Sequence, residues 1–203
     1  FYFGHQLSTR EGGMVNTSDK KLYEMLLMLR SHGWAKDLSK ETYDGLMSMY
    51  GVDDFHSPFT FFVPGFNLRS TDLQAFLGIR QVKKANWVAT QRNKNHIHYA
   101  ANLEGHFGFQ DWGENFPVSI SFGALAENTA HRKEVVTRLV KNGIETRVFS
   151  AGNLGRHPFW ASEYGTFRDE MSDQIHSRGF FVPNYPELTE DDVCFICNVV
   201  KGG

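Results

Sequence analysis

Apolar positions along this chain follow several rhythms, and each predicts an element. Leu22, Leu26 and Leu29 recur at helical spacing and predict a helix over 19–31, capped by Ser18 and stopped at His32-Gly33. Ahead of it, Phe1-Tyr2-Phe3 and Met14-Val15-Asn16 predict two strands joined through Glu11-Gly12-Gly13, where glycine supplies the turn. Residues 33–66 mix Gly, Asp, Ser and aromatics without a period, and predict a long irregular lid or interface arm. Leu73, Phe76, Leu77 and Val82 then open a helix capped by Ser70 or Thr71. It is expected to run on through Leu103, long enough to bridge two lobes.

After Gly105 the pattern changes. Residues 117–125, 144–152 and 178–182 predict strands, with a helix over 131–143 between the first two. A last helix begins at Thr189, with Asp192 in the reciprocal capping-box position. Strands alternating with helices predict a small α/β lobe. The expected organisation is a first region over 1–66, a linking helix over 67–104 and an α/β domain over 105–203. Because the chain opens inside an apolar run with no initiator Met, a fragment of a longer protein is expected.

The 203 residues suffice to bury a core, and 18 Phe point to an aromatic-rich core or interface. A formal net charge of −2, with Lys and Arg scattered, offers no basic stripe for a phosphate backbone, so nucleic acid is not an expected partner. Apolar runs such as Phe59–Val63 are far too short to span a bilayer, and no membrane association is expected. Two Cys do not make a disulfide scaffold, which makes a reducing cytoplasm the expected location.

The nine histidines do not assemble a metal motif. HExxH is absent, and His96 and His98 fall on different sides of a helix. Cys194 and Cys197 share one face of the last helix, but without a second pair they are expected in the core. No metal is expected. His5, in a polar turn between predicted strands, is either a solvated loop histidine or a proton-transfer group.

Its neighbours decide between these. The run Phe1–Asp19, then Arg30-Ser31-His32-Gly33, Pro64–Ala75 and Arg178–Pro186 occur in the order found in one family. Together they resemble the DegT/DnrJ/EryC1/StrS sugar aminotransferases. The resemblance implies the C-terminal part of an aspartate-aminotransferase-like, fold type I enzyme: a small α/β lobe linked by a long helix to a remnant of the large pyridoxal-phosphate domain. Where that family carries a Schiff-base lysine, this sequence has His5. With the further match of residues 143–160, it is similar to the nucleotide-sugar 3-dehydratase branch.

A lysine amine holds the cofactor covalently, whereas imidazole cannot; it can move protons near neutral pH. The resemblance therefore implies pyridoxal and pyridoxamine phosphate as cofactors, a nucleotide-sugar substrate, glutamate as amino donor and His5 as the catalytic base. It implies a homodimer, with Asn67 reaching the cofactor phosphate from the neighbouring subunit. His32 and Lys36 are expected to contact the nucleotide-sugar, Lys36 as a point charge rather than a bidentate fork. Glu145 and Arg147 either grip the sugar or glutamate or form a surface ion pair, and Arg156 is an anion contact or a loop residue. A plain sugar aminotransferase and a non-catalytic dimerisation or binding fragment are the alternatives. An iron–sulfur relative would need four cysteines, twice those present.

In the family, the groups that stack on the cofactor ring and pair its nitrogen lie upstream of these motifs. The purified 203-residue chain is therefore expected to hold no stoichiometric pyridoxal phosphate. Its absorption spectrum after dialysis checks this.

Overall fold

The computed structural model describes residues 1–2 and 4–203, so the third position of the expected first strand lies outside the described residues. Phe1 and Tyr2 are in no regular element, and no strand forms over 13–17. Two compact units result. One contains Phe1, Tyr2 and Leu7–Gln81; the other joins Gly4–Gln6 to Val82–Gly203.

In the first unit, α1 (Lys20–Arg30) is capped by Asp19 rather than Ser18. The Asp19 carboxylate accepts from the backbone N–H of Lys21 and Leu22. The segment expected to be irregular contains α2 (Lys40–Tyr50), capped by Ser39 and ended by Gly51 in the left-handed conformation. Tyr43, Leu46, Met47 and Tyr50 do have helical spacing, but Gly45 and two polar neighbours dilute it, and the helix buries no residue fully. A 3-10 turn at Ser57–Phe59 precedes α3 (Asp72–Val82). Thr71 and Gln74 bond each other's backbone N–H at its start, as in a capping box.

The expected single helix from Thr71 to Leu103 is two helices. It breaks at Lys83-Lys84, and α4 (Ala85–Leu103) begins anew in the second unit. The two helices differ in burial: α3 buries no residue fully and leaves Leu73, Phe76 and Val82 exposed, whereas α4 buries Val88, Arg92, Asn95, Tyr99 and Leu103.

The second unit is a layer of helices on a small sheet. Its elements after α4 are β1 (Ser121–Leu125), α5 (Thr129–Lys141), α6 (Pro158–Tyr164), α7 (Glu170–Arg178), β2 (Gly179–Pro183) and α8 (Glu190–Lys201). β1 and β2 pair antiparallel, Ser121 opposite Pro183 and Leu125 opposite Gly179. Alternation places Phe122 and Ala124 inward, against Tyr99 and Leu103 of α4, Leu139 of α5, Phe180 and Val182 of β2, and Val193 and Cys197 of α8. Burial pushes the Cys197 thiol up to about 12, which makes it an inert core residue. The capping box between Thr189 and Asp192 forms as expected.

Two expected strands changed. Residues 144–152 pair with the sheet at an isolated Arg147–Phe181 bridge and then coil into a 3-10 turn. Ser150 and Ala151 take φ of 44° and 66°, which no strand accommodates. Residues 117–120, expected as the start of β1, stay outside it. Helices α6 and α7 were not expected. No helix among the described residues is long and apolar enough to cross a membrane.

Phe122 is fully buried, and its ring stacks on Tyr99 with centroids 5.1 Å apart. Phe122→Ala is expected to destabilise the second unit by about 3–5 kcal/mol. Urea unfolding followed by circular dichroism checks it.

Candidate functional site

Two arrangements gather the residues singled out by the sequence, one in each unit. In the first unit, α1 ends at Ser31, and His32 and Gly33 turn the chain back with φ of 61° and 92°. The reversed segment lies against residues 61–68. The backbone N–H of His32 donates to the Phe66 carbonyl at 2.7 Å, and that of Leu68 to the Arg30 carbonyl at 2.9 Å. Ser31 bridges Asn67 and Trp34 bridges Phe61. Glycine is required where these backbones meet: a Cβ on Gly33 would lie 1.9 Å from the Val63 carbonyl oxygen, and one on Gly65 would lie 2.2 Å from the Gly33 nitrogen.

The result is an aromatic platform under cations. Phe61 stacks on Trp34 at 5.8 Å, and the His32 ring sits 4.9 Å away. The Lys36 ammonium lies 4.4 Å from the Trp34 ring centre and the Arg69 guanidinium 5.8 Å. Such a surface can hold an anion beside a flat ring. His32, Lys36 and Asn67, more than thirty positions apart at the extremes, are thus brought into one neighbourhood by the 31–34 and 61–68 pairing. Trp34 and Arg69 were not singled out as site residues. The only sequence signal for Trp34 was its place directly after the His32-Gly33 stop.

In the second unit, the elbow carrying His5 adjoins a cavity of about 450 Å³. Gln6, next in the chain to His5, lines it together with His96, Ser119, Arg147, Phe149 and Phe181. His5 is exposed, while Gln6 is half-buried and donates from Nε2 to the Val118 carbonyl at 2.6 Å. The His96 Nδ1 and the Ser119 hydroxyl are 2.8 Å apart; among the described residues its Nε2 and the Gln6 Oε1 are buried without a hydrogen-bond partner. Burial lowers the His96 pKa and keeps the ring neutral at pH 7. His96 and His98 diverge as expected. The latter meets Cys194, Nε2 to Sγ 3.5 Å.

Arg147 lies over the Phe181 ring at 5.5 Å, at the cavity wall. Glu145 does not pair with it; its carboxylate accepts from the Tyr185 hydroxyl at 3.1 Å, which raises the tyrosine's pKa. Arg156 is engaged elsewhere, with Asp173 at 3.3 Å, and does not line this cavity. Sequence reasoning weighed His96 only as a metal ligand and gave Gln6 no role, since neither spacing nor charge marks a residue whose partner lies far along the chain. Among the described residues no cluster of His, Cys, Asp and Glu could hold a metal. No carboxylate lines the cavity; its lining offers a cofactor the Arg147 guanidinium, the unpaired His96 Nε2 and aromatic walls, with His5 next in the chain to the lining residue Gln6.

The family described by the DegT/DnrJ/EryC1/StrS aminotransferase model matches residues 1–201. The chain belongs to that family.

Among relatives in the family, GDP-4-keto-6-deoxy-D-mannose 3-dehydratase of Yersinia pseudotuberculosis is 28% identical over 98% of this chain and 52% of its own length. The E. coli enzyme of that name, solved with bound hydrated PLP, superposes with a TM-score of 0.83 at 24% identity, covering 98% of this chain and 52% of the other. A His-to-Asn variant of GDP-4-keto-6-deoxymannose-3-dehydratase with bound GDP-perosamine gives 0.86 at 25%, covering 98% and 53%. The fold is thus that of the expected half of an aminotransferase-like enzyme. The chain spans about half the length of the relatives it matches.

Because the folded pKa of His96 lies below its ordinary value, the unfolded chain binds a proton more readily. Stability is therefore expected to hold above about pH 6.5 and to fall as pH drops below it. His176, lowered by burial and by the nearby Arg156, contributes to the same fall. His96→Gln is expected to flatten part of the decline, measured as the urea midpoint against pH.

Proposed function

We propose that this chain is the portion of a pyridoxamine-phosphate-dependent nucleotide-sugar 3-dehydratase that carries its base, His5. The observation that carries the reading is an imidazole, His5, at the elbow to which the resemblance assigns the family's lysine, beside a cavity with unpaired polar atoms. The similarity to GDP-4-keto-6-deoxy-D-mannose 3-dehydratases over nearly the whole chain supports it.

When bound, the cofactor supplies an amine that condenses with a keto group and a conjugated ring that accepts electrons. An imidazole nitrogen of His5 takes and returns the proton that this chemistry moves, without holding the cofactor covalently. The sugar's C3 hydroxyl would leave as water and the amine as ammonia, and glutamate, leaving as 2-oxoglutarate, would supply the next amine. Arg147 at the cavity wall suits a carboxylate or a sugar hydroxyl, and His96 supplies a further hydrogen-bonding group.

The Trp34 platform of the first unit, taken by itself, suits a nucleotide-sugar. Its rings take a base or sugar face, and Lys36, Arg69 and His32 face the phosphates. Asn67 holds the cofactor phosphate across a homodimer, and the protein acts in the cytoplasm. Glu145 acts through Tyr185, and Arg156 through its Asp173 contact.

The test uses the full open reading frame that contains this chain. With pyridoxamine phosphate and GDP-4-keto-6-deoxymannose, wild type is expected to release ammonia, and His5→Asn to lose at least about 100-fold of that rate. Transfer of an amino group to the sugar by wild type would make it an aminotransferase, and equal rates in both proteins would remove His5 from the chemistry.

A further inference from the structure

The segment Gly4–Gln6 forms no helix or strand, so no backbone ladder fixes the direction in which His5 points. Side chains from far along the chain do so instead. The Gln6 amide donates to the Val118 carbonyl at 2.6 Å. Arg92 on α4, only 4% exposed, donates from one terminal nitrogen to the Ile120 carbonyl at 2.9 Å and the Ser119 carbonyl at 3.3 Å. Its other terminal nitrogen approaches the His5 carbonyl at 3.5 Å. Asn184, fully buried, closes the ring by donating to the carbonyls of Ser119 at 2.9 Å and Arg92 at 3.1 Å.

This arrangement is an expensive way to fill space. Burial disfavours the charged Arg92 guanidinium more than the field of Glu187 favours it, and its Nε is buried without a partner. A methionine, shorter and uncharged, would cover the α4 core face without burying a charge. What a methionine cannot do is hold two distant backbone segments at once, as a rigid planar fork of donors can. Costly exceptions to local rules gather where a geometry must be kept.

We infer that Arg92 is a positioning residue for His5, tying the elbow's carbonyl to the 117–120 loop, with Gln6 as the second tie. The inference deepens the proposed function and rests on His5 being the base. Neither residue need touch substrate, because both act through the direction they give the imidazole.

The test is made in the full open reading frame with Arg92→Met, Arg92→Lys, Gln6→Met and His5→Asn. The His5 ring signal in a histidine-labelled NMR spectrum is assigned by its loss in His5→Asn. Arg92→Met and Gln6→Met are expected to split or broaden that signal. They are also expected to lower kcat by up to about 100-fold, with KM for the sugar nucleotide little changed. Arg92→Lys, which keeps a donor within reach, is expected to recover part of both. Gln6→Met leaves the bonds of Arg92 to the loop in place, so it guards against a variant that merely fails to fold. An unchanged His5 signal and wild-type kcat in both methionine variants would overturn the inference. So would a kcat loss that only follows the unfolded fraction. If His5→Asn proves fully active, the base assignment falls, while the NMR signal in the methionine variants still decides whether Arg92 and Gln6 position the ring.

Discussion

Four consecutive backbone carbonyls, those of Pro117 to Ile120, set the terms for the second unit. They lie where a strand was expected, and a buried carbonyl without a donor is costly. Side chains meet the need: Asn93 donates to Pro117, Gln6 to Val118, Asn184 and Arg92 to Ser119, and Arg92 to Ile120. Because these donors come from the chain start, from α4 and from the segment after β2, satisfying the loop also fixes where those segments lie. The cavity beside His5 is bounded by that loop, so its shape follows from a hydrogen-bonding requirement as well as from apolar packing.

The core explains why such a polar assembly is tolerated. Tyr99, Phe122, Leu139, Phe180, Val182 and Val193 are buried almost completely on the inner side of the sheet. That apolar cluster supplies the stabilisation against which a buried guanidinium and a buried amide can be kept. Aromatic residues then serve a second role at both candidate sites. Phe149 and Phe181 stack at 4.7 Å beside Arg147, and Trp34 and Phe61 stack beneath Lys36 and Arg69. In each case rings orient a cation that remains accessible, a combination suited to anionic ligands.

Some of this was legible in the residues because it is local. The Thr189–Asp192 capping box joins groups three positions apart, and the alternation that predicts β1 around Phe122 and Ala124 needs no partner to be visible. The choice of Asp19 over Ser18 as cap is a one-residue matter that propensity does not resolve. The larger departures are all non-local. Residues 144–152 have strand composition, but Ser150 and Ala151 turn left-handed and Phe149 packs close against Gly123 and Gly179 of the sheet. The helix expected from Thr71 is interrupted at Lys83-Lys84, between α3, which buries no residue fully, and α4, which packs into the core of the second unit.

The sequence by itself determined the family, through motifs in fixed order from Phe1 to Pro186, and the chemical identity of the group at the elbow, an imidazole instead of an amine. It determined the helix caps and the inward faces as well, since these depend on neighbours within a turn or two. Tertiary structure decided which residues hold the elbow that carries that imidazole. Arg92 meets the His5 carbonyl across 87 positions, Gln6 meets Val118 across 112, and Ser31 meets Asn67 only through a pairing of distant segments. Spacing carries no record of such partners, because a hydrogen bond is specified by position in space, and only the packed core brings those positions together.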